Sequence, residues 1–321
     1  MSNLERDPRE AACGGTAVAE LPVREALTGR DVVLGGPRGM KVTRTLPGRD
    51  LRMVGAWCFL DAYGPETAVM RVPPHPHTGL QTVSWLVRGE VLHRDSVGSE
   101  QLITPGRLNL MTAGRGIAHS EESPSGPPGV LHGVQLWVAL PGEHRHVAPH
   151  FEHHPDLPVL AEPGVRATVI MGELGGVASP ARVYSPLVGA EIALDPGTRT
   201  RLPLEASFEY AALTLEGTAE VEGGPLPPGP LLYLGRGRQG LELRAGEGEG
   251  PARVLLLGGE PFEERIVMWW NFVGRDHDEI VAFRERWAAG EWFGEVRGFD
   301  GPPLAAPALP TTPLKPRGRR R

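Results

Sequence analysis

From residue 80 to residue 257 the chain is cut into short apolar segments bounded by glycine or proline, and this punctuation points to β-structure. Residues 80–87 (LQTVSWLV), 91–94, 108–111 and 134–140 (VQLWVAL) form a first set, rich in β-branched and aromatic side chains. A second set follows at 167–171, 188–194, 210–215, 219–221, 231–233, 241–243 and 254–257, separated by Asp195-Pro196-Gly197, Gly223-Gly224, Pro228-Gly229 and the 246–250 run. The 43 glycines and 33 prolines fit many turns and few helices. Two consecutive sets of short strands predict two β-barrels or jelly rolls. One helix is expected, over 276–289, with Asp276 as its cap and Ile280, Phe283 and Trp287 on the apolar face. Trp269 and Trp270 before it read as core anchors.

Chemistry concentrates in the first strand set. His75-Pro76-His77 and His119-Ser120-Glu121 each place two ligand-type residues at i and i+2, which lie on one face of a strand. Three imidazoles and a carboxylate converging on one space make a mixed N/O site suited to Fe, Mn, Ni, Cu or Zn. Pro76 suits an edge or strand-start position. His93 and Asp95 share a strand face, either behind the ligands or at the surface. The EHRHVAPHFEHH segment, with His144, His146, His150, His153 and His154, reads as a solvated linker between the two strand sets. No histidine occurs from Pro155 through Asp276, so the metal chemistry belongs to the first domain. The Gly235–Gly240 run lacks a GK[ST] ending and reads as a turn, and no Ser-His-Asp or Cys-His nucleophile arrangement stands out.

Several function classes are disfavoured. The net charge of −6 argues against nucleic-acid or anionic-membrane binding. No apolar run is long enough to cross a bilayer, and the polar N-terminus lacks a signal-peptide core. Two cysteines, Cys13 and Cys58, make no disulfide framework, so a cytoplasmic protein is expected. The expected domain plan is a flexible arm at 1–25, a metal-bearing barrel at 26–150, a metal-free barrel with the helix at 151–298, and a disordered basic tail at 299–321. A monomer is expected.

The run Pro74-His75-Pro76-His77-Thr78-Gly79, the Pro105-Gly106 pair and the 111–121 block MTAGRGIAHSE resemble the pirins, a branch of the cupin superfamily. Phe59-Leu60-Asp61, Gln135-Leu136-Trp137-Val138, Gly258-Gly259-Glu260-Pro261 and the 267–274 block are similar too, so the resemblance covers roughly residues 30–295. It implies an all-β bicupin fold with iron held at His75, His77, His119 and Glu121. It implies a quercetin 2,3-dioxygenase type of activity on a small aromatic substrate, with Fe(II) as cofactor and Glu121 both ligand and general base. The alternative it implies is a non-catalytic, iron-dependent regulator that binds a protein partner. Leu80, Trp85 and Trp137 are candidates for the pocket wall. One departure is Gln81, where pirins commonly have Glu; the change spares the four ligands and removes an acid expected beside them.

Overall fold

The computed structural model describes residues 11–13, 21–34, 40–124, 126–248 and 250–319. Two β-barrels stand side by side, each made of a large and a small antiparallel sheet. The first barrel has a seven-stranded sheet in the order His150–His154, Leu108–Thr112, Leu80–Arg88, Gly129–Ala139, Trp57–Ala68, Met40–Leu46, Arg30–Leu34. Its four-stranded partner runs Arg71–His77, Ile117–Glu122, Val91–Asp95, Glu100–Ile103. Arg71–His77 carries Pro73, Pro74 and Pro76, and it lies at the edge of this sheet, where a missing N–H breaks no ladder. The second barrel pairs a large sheet with a four-stranded one in the order Arg199–Pro203, Gly240–Ala245, Ala219–Val221, Gly224–Leu226. This is the bicupin architecture.

Strand parity explains how the barrels join. Along Leu80–Arg88, Val83 and Trp85 point outward and are buried against the second barrel, in one core with Ile170, Leu187, Leu213 and Leu255. Trp85 Nε1 donates to Glu191 Oε2 at 2.8 Å, and Trp57 Nε1 lies 3.1 Å from the carbonyls of Val188 and Gly258. Each indole therefore buries its apolar body and still satisfies its N–H across the joint. The second barrel has its own interior core, with Val169, Ile192, Leu202, Leu243 and Val254 among its members.

The domain plan needs three corrections. Pro22–Leu27, assigned to the arm and the start of the first barrel, forms the edge strand of the second barrel's large sheet, paired with Leu231–Gly235. Residues 1–10 and 14–20 of the arm lie outside the described residues. His150–His154, assigned to a linker and domain boundary, is a strand of the first barrel paired with Leu108–Thr112. Its alternate residue Phe151 turns inward and stacks on His93, with ring centroids 4.5 Å apart. The tail at 299–321 is not loose where it is described: Leu314 is buried against Trp269 and Ile280, and Arg319 is 1% exposed. Arg319 Nη1 donates to Glu209 Oε1 at 2.9 Å, and Arg52 N donates to the Arg319 carbonyl.

The helix is His277–Ala288, with Asp276 accepting the Glu279 N–H at 2.9 Å as its cap. Ile280 and Phe283 pack onto a cluster with Trp269, Trp270, Phe272 and Ala118, so the helix sits behind the strand that carries His119. The segment Ile266–Gly274 thus returns from the second barrel to cover the first, and Thr78 bridges directly to Phe272.

Candidate metal centre

Three neighbouring strands of the four-stranded sheet supply the site. Arg71–His77 presents His75 and His77, Ile117–Glu122 presents His119 and Glu121, and Val91–Asp95 presents His93 and Asp95. His75 pairs directly across from His119, and a register shift follows between His119 and Glu121. All four predicted ligand residues are buried. Two glycines make the approach possible. Gly79 has φ +67°, and a Cβ there would meet the Val273 carbonyl oxygen at 2.4 Å. Gly114 has φ +51°, and a Cβ would fall 2.0 Å from the Val147 carbonyl oxygen. Side chains at either position would break the turn that follows or precedes a histidine strand.

Among the described residues, His75, His77 and His119 form the group whose ligand atoms all lie within 4.8 Å of one another; Glu121 is buried beside it but stands outside that grouping. Hydrogen bonding sets the state of two of these imidazoles. His75 Nδ1 lies 2.8 Å from the Pro73 carbonyl and His77 Nδ1 lies 3.1 Å from the Asn271 carbonyl. A carbonyl only accepts, so both Nδ1 atoms carry the proton and, in the neutral ring, both Nε2 atoms carry a bare lone pair. His77 Nε2 is 3.1 Å from His119 Nε2, and His75 Nε2 is buried with no hydrogen-bond partner. Converging acceptor nitrogens in a dry site are costly unless a cation stands among them. The donor set therefore fits a divalent metal ion.

Electrostatics points the same way. Burial pushes the His75 imidazole down to about 4, against smaller upward pulls from the Pro73 carbonyl and the Glu121 carboxylate. Burial, then neighbouring His75, holds His77 well below the ordinary value. His119 is lowered likewise, by burial first and then by the surrounding imidazoles. Neutral imidazoles are what a metal needs. The sign of the pH effect follows. In the unfolded chain a histidine titrates near 6.5, so between about 6.5 and 4 the unfolded state binds more protons than the folded one. The metal-free protein is expected to lose stability as pH falls through that window, by on the order of 1 kcal/mol per pH unit from His75, with His77 and His119 acting in the same direction. Thermal unfolding at a series of pH values checks this; a flat profile from pH 7 to 4.5 would contradict neutral buried imidazoles.

A column of side chains backs the site. Trp137 meets the edge of His77, with ring centroids 5.1 Å apart, and stacks on Phe59 at 4.0 Å. The Arg44 guanidinium lies 4.5 Å above Phe59 and forms a two-pronged pair with Asp61, both contacts 2.7 Å. Of the expected wall residues, Trp137 is thus beside a histidine, whereas Trp85 faces the second barrel. Gln81 is also turned away from the histidines: its Nε2 donates to Thr112 Oγ1 at 2.9 Å and to the Arg182 carbonyl at 3.1 Å. A carboxylate has no N–H for the Arg182 carbonyl, so the amide serves the joint between barrels. Tyr63 is buried, and burial together with Glu121 raises its phenol far above the ordinary value. Ser84 Oγ lies 2.9 Å from Gln135 Oε1 and 3.3 Å from Glu121 Oε1.

His93 and Asp95 prove to be buried, and both ring nitrogens of His93 are engaged: Nδ1 with His119 and Nε2 with Asp95. Their i, i+2 spacing was visible in the sequence; their burial under Phe151 was not. His144 and His146 lie outside the metal cluster, and His150 and His154 flank Glu152 at 3.3 and 3.2 Å. His153 bonds Asn109.

Residues 39–138 match the family profile described as Pirin, and residues 189–293 match the Pirin C-terminal cupin domain. A Pseudomonas aeruginosa protein named "Putative quercetin 2,3-dioxygenase PA1205" is 47% identical over 97% of this chain and 98% of its own length. A pirin-like protein of Caulobacter vibrioides is 40% identical over 78% of this chain and 88% of its own. A crystal structure of quercetin 2,3-dioxygenase from Acinetobacter baumannii superposes with a TM-score of 0.84 at 42% identity, covering 91% of this chain and 98% of that one. With both barrels matched and the histidine cluster in the first of them, the chain belongs to the pirin family.

Proposed function

We propose that the protein is an iron-dependent dioxygenase of flavonol-like substrates, with Fe(II) held by His75, His77, His119 and Glu121. One observation carries the reading: three imidazoles from two adjacent strands, two with their Nδ1 atoms committed to carbonyls, turn Nε2 atoms into one buried space, and buried Glu121 shares the strand of His119. The names of the P. aeruginosa relative and the A. baumannii structure supply the substrate class. Bound iron would supply a Lewis acid for a substrate hydroxyl and a means for O2 to react.

The chain's own residues do the rest. Glu121 is the one carboxylate among the four, and it takes the proton of the substrate hydroxyl as that hydroxyl binds. Ser84 Oγ has a single proton to give, to Gln135 Oε1 or to Glu121 Oε1. It therefore steadies the Glu121 carboxylate only when it turns from Gln135. Tyr63 keeps its proton and is therefore no base. Trp137 gives the site an apolar flank beside His77, suited to an aromatic ligand. The chain has no helix among its described residues that is long and apolar enough to cross a membrane.

Protein loaded with Fe(II) is expected to consume O2 and bleach a flavonol. Glu121→Ala is expected to remain folded and lose turnover by about 100-fold or more, the range of a general base. A loaded wild-type protein that leaves a panel of flavonols untouched would overturn the dioxygenase reading in favour of an iron-dependent interaction protein, which affinity capture with and without iron then examines.

A further inference from the structure

We propose that Asp95 and His93 are positioning residues that fix the tautomer of His119 and hold its Nε2 lone pair open toward the metal. The proposal rests on the metal reading given above. His93 Nδ1 lies 3.3 Å from His119 Nδ1, and His93 Nε2 lies 3.1 Å from Asp95 Oδ2. The other carboxylate oxygen, Asp95 Oδ1, accepts the N–H groups of Val97 at 3.0 Å and Ser99 at 2.9 Å. The orientation of the carboxylate is thus set by the backbone of its own turn.

Polarity then runs one way along the chain of groups. A carboxylate has no proton to give, so His93 donates from Nε2. A neutral His93 is then bare at Nδ1 and accepts from His119. His119 carries its proton on Nδ1, which leaves Nε2 as the ligand atom. The reverse order would set the bare Nε2 of His93 against the carboxylate. His75 and His77 have carbonyls to do the same task, at Pro73 and Asn271. His119 has no such carbonyl in the described hydrogen bonds of its Nδ1, and the Asp95–His93 pair stands in that place. Phe151 stacked on His93 keeps the ring in plane for both bonds.

Asparagine at position 95 is nearly isosteric and inverts this order. Its amide oxygen takes the place of Oδ1 under the two N–H groups, and its amide nitrogen faces His93 Nε2. His93 must then carry its proton on Nδ1, so two N–H groups would confront each other unless His119 moves its proton onto Nε2 and loses its ligand atom.

The test is Co(II) affinity, measured by competition with a chelator, on wild type, Asp95→Asn, His93→Phe and the double variant. His93→Phe keeps a ring against Phe151 and removes both bonds. Each single variant is expected to bind Co(II) about 10–100-fold more weakly, as for other residues that orient a ligand from behind. The double variant is expected to be no weaker than His93→Phe, because the relay is already cut. Imidazole nitrogen spectra of the Zn(II)-loaded wild type should place the His93 proton on Nε2. Co(II) binding by Asp95→Asn equal to wild type, a His93 proton on Nδ1 in the wild type, or losses that multiply in the double variant would each overturn the relay. Wild-type protein that takes up neither ion would instead overturn the metal reading beneath it.

Discussion

His77→Ala is expected to reduce bound divalent metal to background in protein whose wild type, after reconstitution, carries about one ion per chain. The effect should exceed the roughly 10–100-fold cost of losing a group that merely orients a ligand, because a ligand atom itself is gone. His77 is anchored twice: its ring is held by the Asn271 carbonyl on one side and the edge of Trp137 on another. Its Nε2 lies 3.1 Å from His119 Nε2, so its removal takes away one of the two nitrogens that share that space. Elemental analysis of both proteins is the direct measurement. A second readout is thermal. Saturating metal raises the stability of any protein that binds it only when folded, by about 2.7 kcal/mol at a hundredfold excess over Kd. That shift should be present in wild type and absent in His77→Ala. Equal metal content in the two proteins would remove His77 from the site.

Arg44→Ala is expected to cost about 3–5 kcal/mol of stability, the range for stripping one partner from a buried ion pair. At roughly 2–4 °C per kcal/mol, the midpoint of unfolding should fall on the order of 10 °C. Arg44 and Asp61 face each other across adjacent strands, with side chains 2% and 0% exposed. Alanine leaves the Asp61 carboxylate in a dry interior without its guanidinium, and also uncovers Phe59. The double variant Arg44→Met with Asp61→Leu is expected to regain most of the loss, since packed apolar residues often replace a buried pair at little cost. Calorimetry of the three proteins decides. A fall within the scatter of ordinary surface substitutions, about 0.5 kcal/mol, would mean that water reaches Asp61. Because Arg44, Phe59, Trp137 and His77 form one column, weaker metal retention should accompany the loss.

The sequence carried much of this plan in plain view, for a physical reason. Strand alternation and turn residues are local, so Leu80–Arg88 and Gly129–Ala139 announce themselves by composition. The histidine pairs are legible because i, i+2 spacing fixes a shared face whatever the surroundings. What could not be read depends on distant partners. Pro22–Leu27 (PVREAL) has little strand character of its own and becomes one by pairing with a strand some 200 residues later. His150–His154 looks solvated until one knows that Phe151 has His93 to stack on. The tail has no periodicity; Leu314 and Arg319 are held singly, by contacts with chain far upstream. Gln81 sits next to the histidines in sequence and looks outward because of strand parity, which one residue's shift would reverse.

The carbonyl that fixes His77 belongs to Asn271, 194 residues downstream. Synthesis proceeds from the N-terminus at about 5–20 residues per second. His75, His77 and His119 have therefore all left the ribosome well before the segment that completes their surroundings. A barrel made from the first half of the chain would have its ligands without the carbonyl or the Trp269–Phe272 cover. The edge strand Pro22–Leu27, made among the first, must wait for Leu231–Gly235. The emerging chain thus holds its histidines in an unfinished site until Asn271 and the Trp269–Phe272 cover have been made.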